Sequence, residues 1–146
     1  LVELPVTYLP KWTSEVLDEL QVQGITPLLA HVERYSYFQS EPQKLYDLLE
    51  DGCYAQVNAT SIVKHKNAQK LIFLLMKHGM VHCMGSDTHS LEKRPPMLKQ
   101  AQEIVARKMG NEYVETKNKN GESLATKGKA KVGPIRPIRS VFGYFF

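Results

Sequence analysis

Cysteine is scarce in this 146-residue chain. Cys53 and Cys83 stand in apolar contexts with no CxxC pattern, which fits reduced, buried thiols in a cytoplasmic protein better than a disulfide framework. The cysteine-phosphatase loop is excluded too. It needs an Arg six positions after its thiolate nucleophile, and the residues at that spacing are Ala59 and His89. No GxxxxGK[ST] or GxGxxG stretch occurs, which argues against a nucleotide-binding enzyme. No run approaches the roughly 18 apolar residues that span a membrane. The opening Leu1-Val2-Glu3-Leu4-Pro5 has neither a basic n-region nor a small-residue cleavage site, so no signal peptide is expected.

What is present reads as a folded domain, with 42% hydrophobic and 23% charged residues. The net charge of +4 is unevenly spread. Residues 1–106 carry ten Lys and Arg against twelve Asp and Glu, whereas residues 107–146 carry nine against three. The basic character therefore belongs to the tail, and a body of slightly acidic balance argues against nucleic acid as a partner.

Four strand-then-helix units occupy residues 1–110. An apolar, extended Leu1 to Leu9 precedes a helix from about Thr13 or Ser14 to Gly24 at a C′ position. Thr26 to His31 forms the second strand, and Ser40-Glu41-Pro42 opens a helix that stops at Gly52. Cys53 to Asn58 is the third strand, with a helix from about His65 to His78 ended by Gly79. Met80 to Ser86 is the fourth, and Pro95-Pro96 start a helix closed by Gly110. Short apolar strands alternating with helices predict an α/β fold with a parallel sheet covered on both faces. Residues 111–146 depart from this grammar. They predict a basic, mobile or loosely docked extension with an aromatic end.

In parallel α/β folds the working residues sit at the C-terminal ends of strands. That rule gathers His31, Glu33 and Arg34 after strand two, Asn58 and Ser61 after strand three, and Asp87, His89 and Arg94 after strand four. Asp87 and His89, two apart after the apolar Met80 to Met84, offer a carboxylate and an imidazole to one metal centre. First-row divalent ions accept that mixture. The competing reading makes Ser86-Asp87-Thr88 a turn and cap. Arg94 precedes Pro95, where a guanidinium fork can take an anion such as phosphate.

Ala30-His31-Val32-Glu33-Arg34-Tyr35 and Gly85-Ser86-Asp87-Thr88-His89 resemble the AHPERY and SDAH signatures of the bacterial PHP-type, manganese-dependent protein-tyrosine phosphatases of capsule and exopolysaccharide operons. Leu1 to Pro5, Gln56 to Ser61 and Arg94-Pro95 match as well, in the family's order over residues 1–110. The resemblance implies a distorted seven-stranded (β/α) barrel, of which four units are present, with a multinuclear Mn2+ site that other divalent metals could also fill. It implies His31, Asp87 and His89 as metal ligands, Arg34 and Arg94 as phosphate binders, and catalytic roles for Arg34, Arg94 and Asp87. The implied substrate is a phosphotyrosine protein, an autophosphorylating bacterial tyrosine kinase above all, in the cytoplasm.

The family's His-x-His strand, Asp-Asp-Gly turn and further His and Glu ligands have no counterpart here, and Val32 replaces the usual Pro. Residues 1–110 then read as the C-terminal part of a phosphatase domain and residues 111–146 as its tail. The alternatives are a truncated, non-catalytic binding module whose tail meets an anionic partner or membrane surface, and a phosphoesterase for a small substrate such as histidinol phosphate. Homo-oligomerisation stays open.

Overall fold

A computed structural model of the chain describes residues 1–146 apart from Leu91, Lys93, Arg94, Phe142, Gly143 and Phe146. In chain order α1 spans Thr13–Val22, β1 Leu28–Leu29, a 3-10 turn Val32–Arg34, α2 Ser36–Ser40 and α3 Gln43–Glu50. Next come β2 over Tyr54–Asn58, α4 over Ala59–Lys64, α5 over Lys66–Lys77 and β3 over Cys83–Gly85. The chain ends with α6 over Leu98–Met109, α7 over Asn111–Lys127, and the short strands β4, Ser140–Val141, and β5, Tyr144–Phe145.

The sheet is parallel, in the order β1-β2-β3. Leu29 pairs with Ala55, Val57 with Met84, and Asn58 with Gly85. A parallel bridge from Val2 to Leu29 adds the first segment on the β1 side. The expected α/β class and parallel pairing are therefore present. The described residues form an open parallel sheet of three strands and one bridge, with β4 and β5 as a separate antiparallel pair, and a seven-stranded barrel is not seen in them.

The strands are shorter than the apolar runs suggested. Of Leu1 to Leu9 only Val2 pairs, because Pro5 lacks the N–H a ladder requires and the segment beyond it leaves the sheet, exposing Val6 and Tyr8. Strand two ends at Leu29, two residues before His31 turns left-handed at φ 35°. Strand four is confined to Cys83–Gly85.

Helix ends fall close to where the glycines placed them. Gly24, Gly52 and Gly79 all have positive φ, and at each helix end the glycine and the residue after it donate the same pair of backbone hydrogen bonds. After α5, Gly79 N donates to Met76 O at 3.1 Å and Met80 N to Leu75 O at 2.9 Å, the pairing of a Schellman cap. Gly110 is different, with φ 90° and ψ 158°, and α7 starts directly after it. The expected helix at Pro95-Pro96 begins only at Leu98, since a residue preceding proline is pushed out of the helical region.

The core lies between the sheet and the helices: Leu29, Val57 and Val81 from the sheet side meet Leu45, Ile62, Ile72 and Leu75, all fully buried. Residues 111–127, expected as a loose extension, form a 17-residue helix packed on α6 and β3. Asn120 of α7 is buried. It donates to the carbonyls of His82 and Lys131, both at 3.1 Å, and accepts from Lys131 N at 3.0 Å. The segment after α7 docks as well. Arg136 N donates to His78 O at 2.9 Å, its guanidinium reaches Lys77 O at 2.5 Å, and Ile138 is buried. The aromatic end of the tail lies largely outside the described residues.

Candidate active site

Parallel strands leave the sheet at one edge, and each exit places a polar residue there: Glu3 after the Val2 bridge, His31 after β1, Asn58 ending β2, and Asp87 after β3. His31 and Asp87 have φ of 35° and 49°, the positive values among the described non-glycine residues. Such backbone costs on the order of 1 kcal/mol or more per residue and collects at functional sites.

The expected residues are brought to this rim. His31 is buried, its Nε2 lies 3.2 Å from Glu3 Oε1, and its Nδ1 is buried with no partner. Arg34 Nη1 donates to Asp87 Oδ2 at 3.1 Å, joining the loops after β1 and β3. His89 Nδ1 is 3.5 Å from Asp87 Oδ1 and 2.9 Å from the Asp87 carbonyl oxygen. Arg94 lies outside the described residues.

Behind this layer Glu33 is fully buried, and both its carboxylate oxygens accept from Asn58 N at 3.3 Å. Burial pushes the Glu33 carboxyl above the ordinary range, opposed by its bonds to Ser61 and Asn58. Asn58 is the one described N-cap whose side chain closes a bond into its helix, with Oδ1 accepting from Thr60 N at 2.8 Å. Glu3, His31, Glu33, Arg34, Asp87 and His89 line a cleft of about 590 Å³. A second cavity of about 500 Å³ shares Glu3, His31 and Asp87 and is bounded by Gln56, Met84 and Lys117.

Glu3 went unnoticed as a site residue in the sequence. Its signal was there: a lone carboxylate in Leu-Val-Glu-Leu-Pro, at the exit of the first extended segment. Gln56 was noticed only as part of a matching stretch, although a polar side chain inside a buried parallel strand needs a partner. That partner is the His31 N–H, 2.7 Å from Gln56 Oε1.

The donor chemistry suits a divalent first-row ion, since imidazole and carboxylate are ligands such ions share. His31 Nε2 and the Glu3 carboxylate that faces it fit one side of such a site. Asp87 and His89 fit another. Among the described residues no group of three or more His, Cys, Asp and Glu stands close enough to hold an ion by itself.

Residues 1–124 match the family described as "Capsular polysaccharide synthesis, CpsB/CapC". The tyrosine-protein phosphatase CpsB of Streptococcus agalactiae is 32% identical over 119 residues, covering 77% of this chain and 49% of that protein. The tyrosine-protein phosphatase YwqE of Bacillus subtilis is 26% identical over 149 residues, covering 99% of this chain and 59% of its own. Crystal structures of YwqE and of CpsB from Streptococcus pneumoniae, metal-dependent tyrosine phosphatases, include a chain that matches with a TM-score of 0.91 and 25% identity. That match covers 96% of this chain and 57% of the solved one. The chain thus spans about half the length of the curated relatives it matches. A shared fold across nearly the whole chain, and a sequence match over its first 124 residues, place it in the CpsB/CapC family of capsular polysaccharide synthesis.

Proposed function

We propose that this chain supplies one part of the rim of a metal-dependent protein-tyrosine phosphatase. The observation that carries the reading is the Arg34–Asp87 contact at 3.1 Å, which sets an anion-binding guanidinium against a metal-type carboxylate across two loops. The relatives named as tyrosine-protein phosphatases support the same chemistry. In a complete protein the sheet would continue into the seven-stranded barrel, and Mn2+ would be the preferred ion, in a cytoplasmic enzyme. The physiological substrate would be an autophosphorylating tyrosine kinase of capsule or exopolysaccharide synthesis.

His31, Asp87 and His89 would hold metal, with Glu3 facing His31. A bound divalent ion supplies Lewis-acid charge and a water acidic enough to attack at neutral pH. The chain's own residues do the rest. Arg34 binds phosphoryl oxygens through its planar fork and neutralises charge as the transition state develops. Arg94, by its place in the sequence, would add a second guanidinium. Hydrolysis replaces the phosphorus–oxygen bond to tyrosine by one to a water oxygen, giving phosphate and free tyrosine. A phenol of pKa about 10 leaves readily, so little general acid is needed.

One observation favours a second reading, the non-catalytic binding module: no group of three metal-type side chains assembles among the described residues. Phosphate release from a phosphotyrosine peptide by the full-length protein, with Mn2+ and after chelation, separates the two. The phosphatase reading expects metal-stimulated turnover that Asp87→Ala reduces by roughly 100-fold or more. Turnover unchanged in Asp87→Ala removes the site assignment, and no turnover at any metal concentration favours the binding module. Faster turnover of small phosphomonoesters such as histidinol phosphate would move the substrate class instead.

A further inference from the structure

Strand β2 does more than separate the two donor loops. Gln56 and Asn58 are two apart, so their side chains leave the strand on the same side, where they pair in register with Cys83 and Gly85. Both are buried, at 8% and 2% exposure. Gln56 Oε1 accepts the His31 N–H at 2.7 Å and its Nε2 donates to Val57 O at 3.1 Å. Its amide lies directly over the bare Cα of Gly85, where any Cβ would collide with it. Asn58 uses every polar side-chain atom: Oδ1 takes Thr60 N at 2.8 Å and Nδ2 donates to Asp87 Oδ2 at 2.9 Å. Since Arg34 also takes Oδ2, the carboxylate is turned with Oδ1 toward His89.

The two residues held in this way, His31 and Asp87, are the described non-glycine residues with positive φ. A strained backbone persists only where its surroundings over-determine it. We propose that Gln56 and Asn58 are positioning residues, a clamp on one strand that sets the His31 backbone and the Asp87 carboxylate for ion and phosphate. Each acts through the residue it holds. The inference rests on the phosphatase reading above, and supporting groups of this kind are worth about 10- to 100-fold in metal affinity.

The variants are chosen to keep the fold. Asn58→Ser retains an N-cap oxygen for α4 but is too short to reach Asp87. Gln56→Leu keeps the volume and removes the acceptor, and Gln56→Glu restores the acceptor for the His31 N–H. Mn2+ affinity is measured by calorimetry on the full-length protein, with melting temperature in chelator alongside. Asn58→Ser and Gln56→Leu are expected to weaken Mn2+ binding about 10- to 100-fold, with Gln56→Glu recovering part of it, since its second oxygen would face Val57 O where Gln56 Nε2 donates. On a phosphotyrosine peptide kcat should fall while KM shifts less than about threefold. Wild-type binding with both variants within twofold of it overturns the clamp and leaves the phosphatase reading standing. Absence of Mn2+ binding by the wild type overturns that reading, and the clamp with it. Should Asn58→Ser not fold, Asn58→Asp replaces the donor by a repelling carboxylate and must show the same loss.

Discussion

His31 and Asp87 occupy backbone conformations that an L-residue adopts at a cost, and glycine would relieve it. His31→Gly and Asp87→Gly relieve that strain but delete the contacts of His31 with Glu3 and of Asp87 with Arg34 and Asn58, so the chelated protein is expected to stay within about 1 kcal/mol of wild-type stability. On the phosphatase reading proposed above, phosphopeptide hydrolysis with Mn2+ should nonetheless fall by roughly 100-fold or more. Melting temperatures in chelator, set beside turnover with Mn2+, check both halves. At this scale much of the rim was legible, because a charged residue at the end of an apolar strand must find a partner. His31, Arg34, Asp87 and His89 announced themselves that way. The geometry that joins them did not, since the Arg34–Asp87 contact spans 53 positions and depends on strand register. Gln56 stayed hidden because its task, accepting a backbone N–H from a left-handed turn, has no local signature.

Helix ends were the most legible elements, because a C′ glycine acts locally: φ of 79°, 99° and 77° at Gly24, Gly52 and Gly79 needs no tertiary partner. Strand lengths were not legible, since pairing stops where the backbone leaves the ladder, and Leu28–Leu29, shortly before the left-handed His31, keeps only two residues of a longer apolar run. The short helices α2 and α4 were also missed. Helices of five and six residues are marginal alone and persist by packing, as Phe38 and Ile62 do, fully buried. Gly79 serves two elements at once. Besides capping α5, it leaves room for the docked tail, since a Cβ there would stand 2.6 Å from Pro134 O. Gly79→Ala is expected to cost about 1–3 kcal/mol and to loosen residues 133–138. Chemical denaturation reads the first effect, and faster proteolytic cutting near Arg136 reads the second.

Across the whole molecule, α7 and the segment after it are bound to the sheet through His82. That side chain is buried, Nδ1 accepts Ala55 N at 3.0 Å, and its carbonyl takes the Asn120 amide. Burial, aided by nearby Lys117, pushes the His82 imidazole down to about 4 from the ordinary 6.5. A depressed histidine pKa favours the neutral form in the fold. The stability it contributes is present above pH 6.5 and is lost as pH falls toward 4, by about 3 kcal/mol. Denaturation midpoints from pH 7 to pH 4 should show this loss, and His82→Gln, which keeps an acceptor for Ala55 N, should flatten it. The docking of α7 escaped the sequence because Lys117 and Asn120 read as surface residues in a polar helix. Only the tertiary fit makes one of them half-buried and the other a buried tie.

The tail's berth has a consequence for access. Arg136 sits on the carbonyls that end α5, beside Gly79, and so at the end of the sheet where β3 enters. The cleft opens where β3 leaves. A body gripping residues 133–139 therefore approaches from the far pole of the domain, and tethering and traffic through the cleft are geometrically separate.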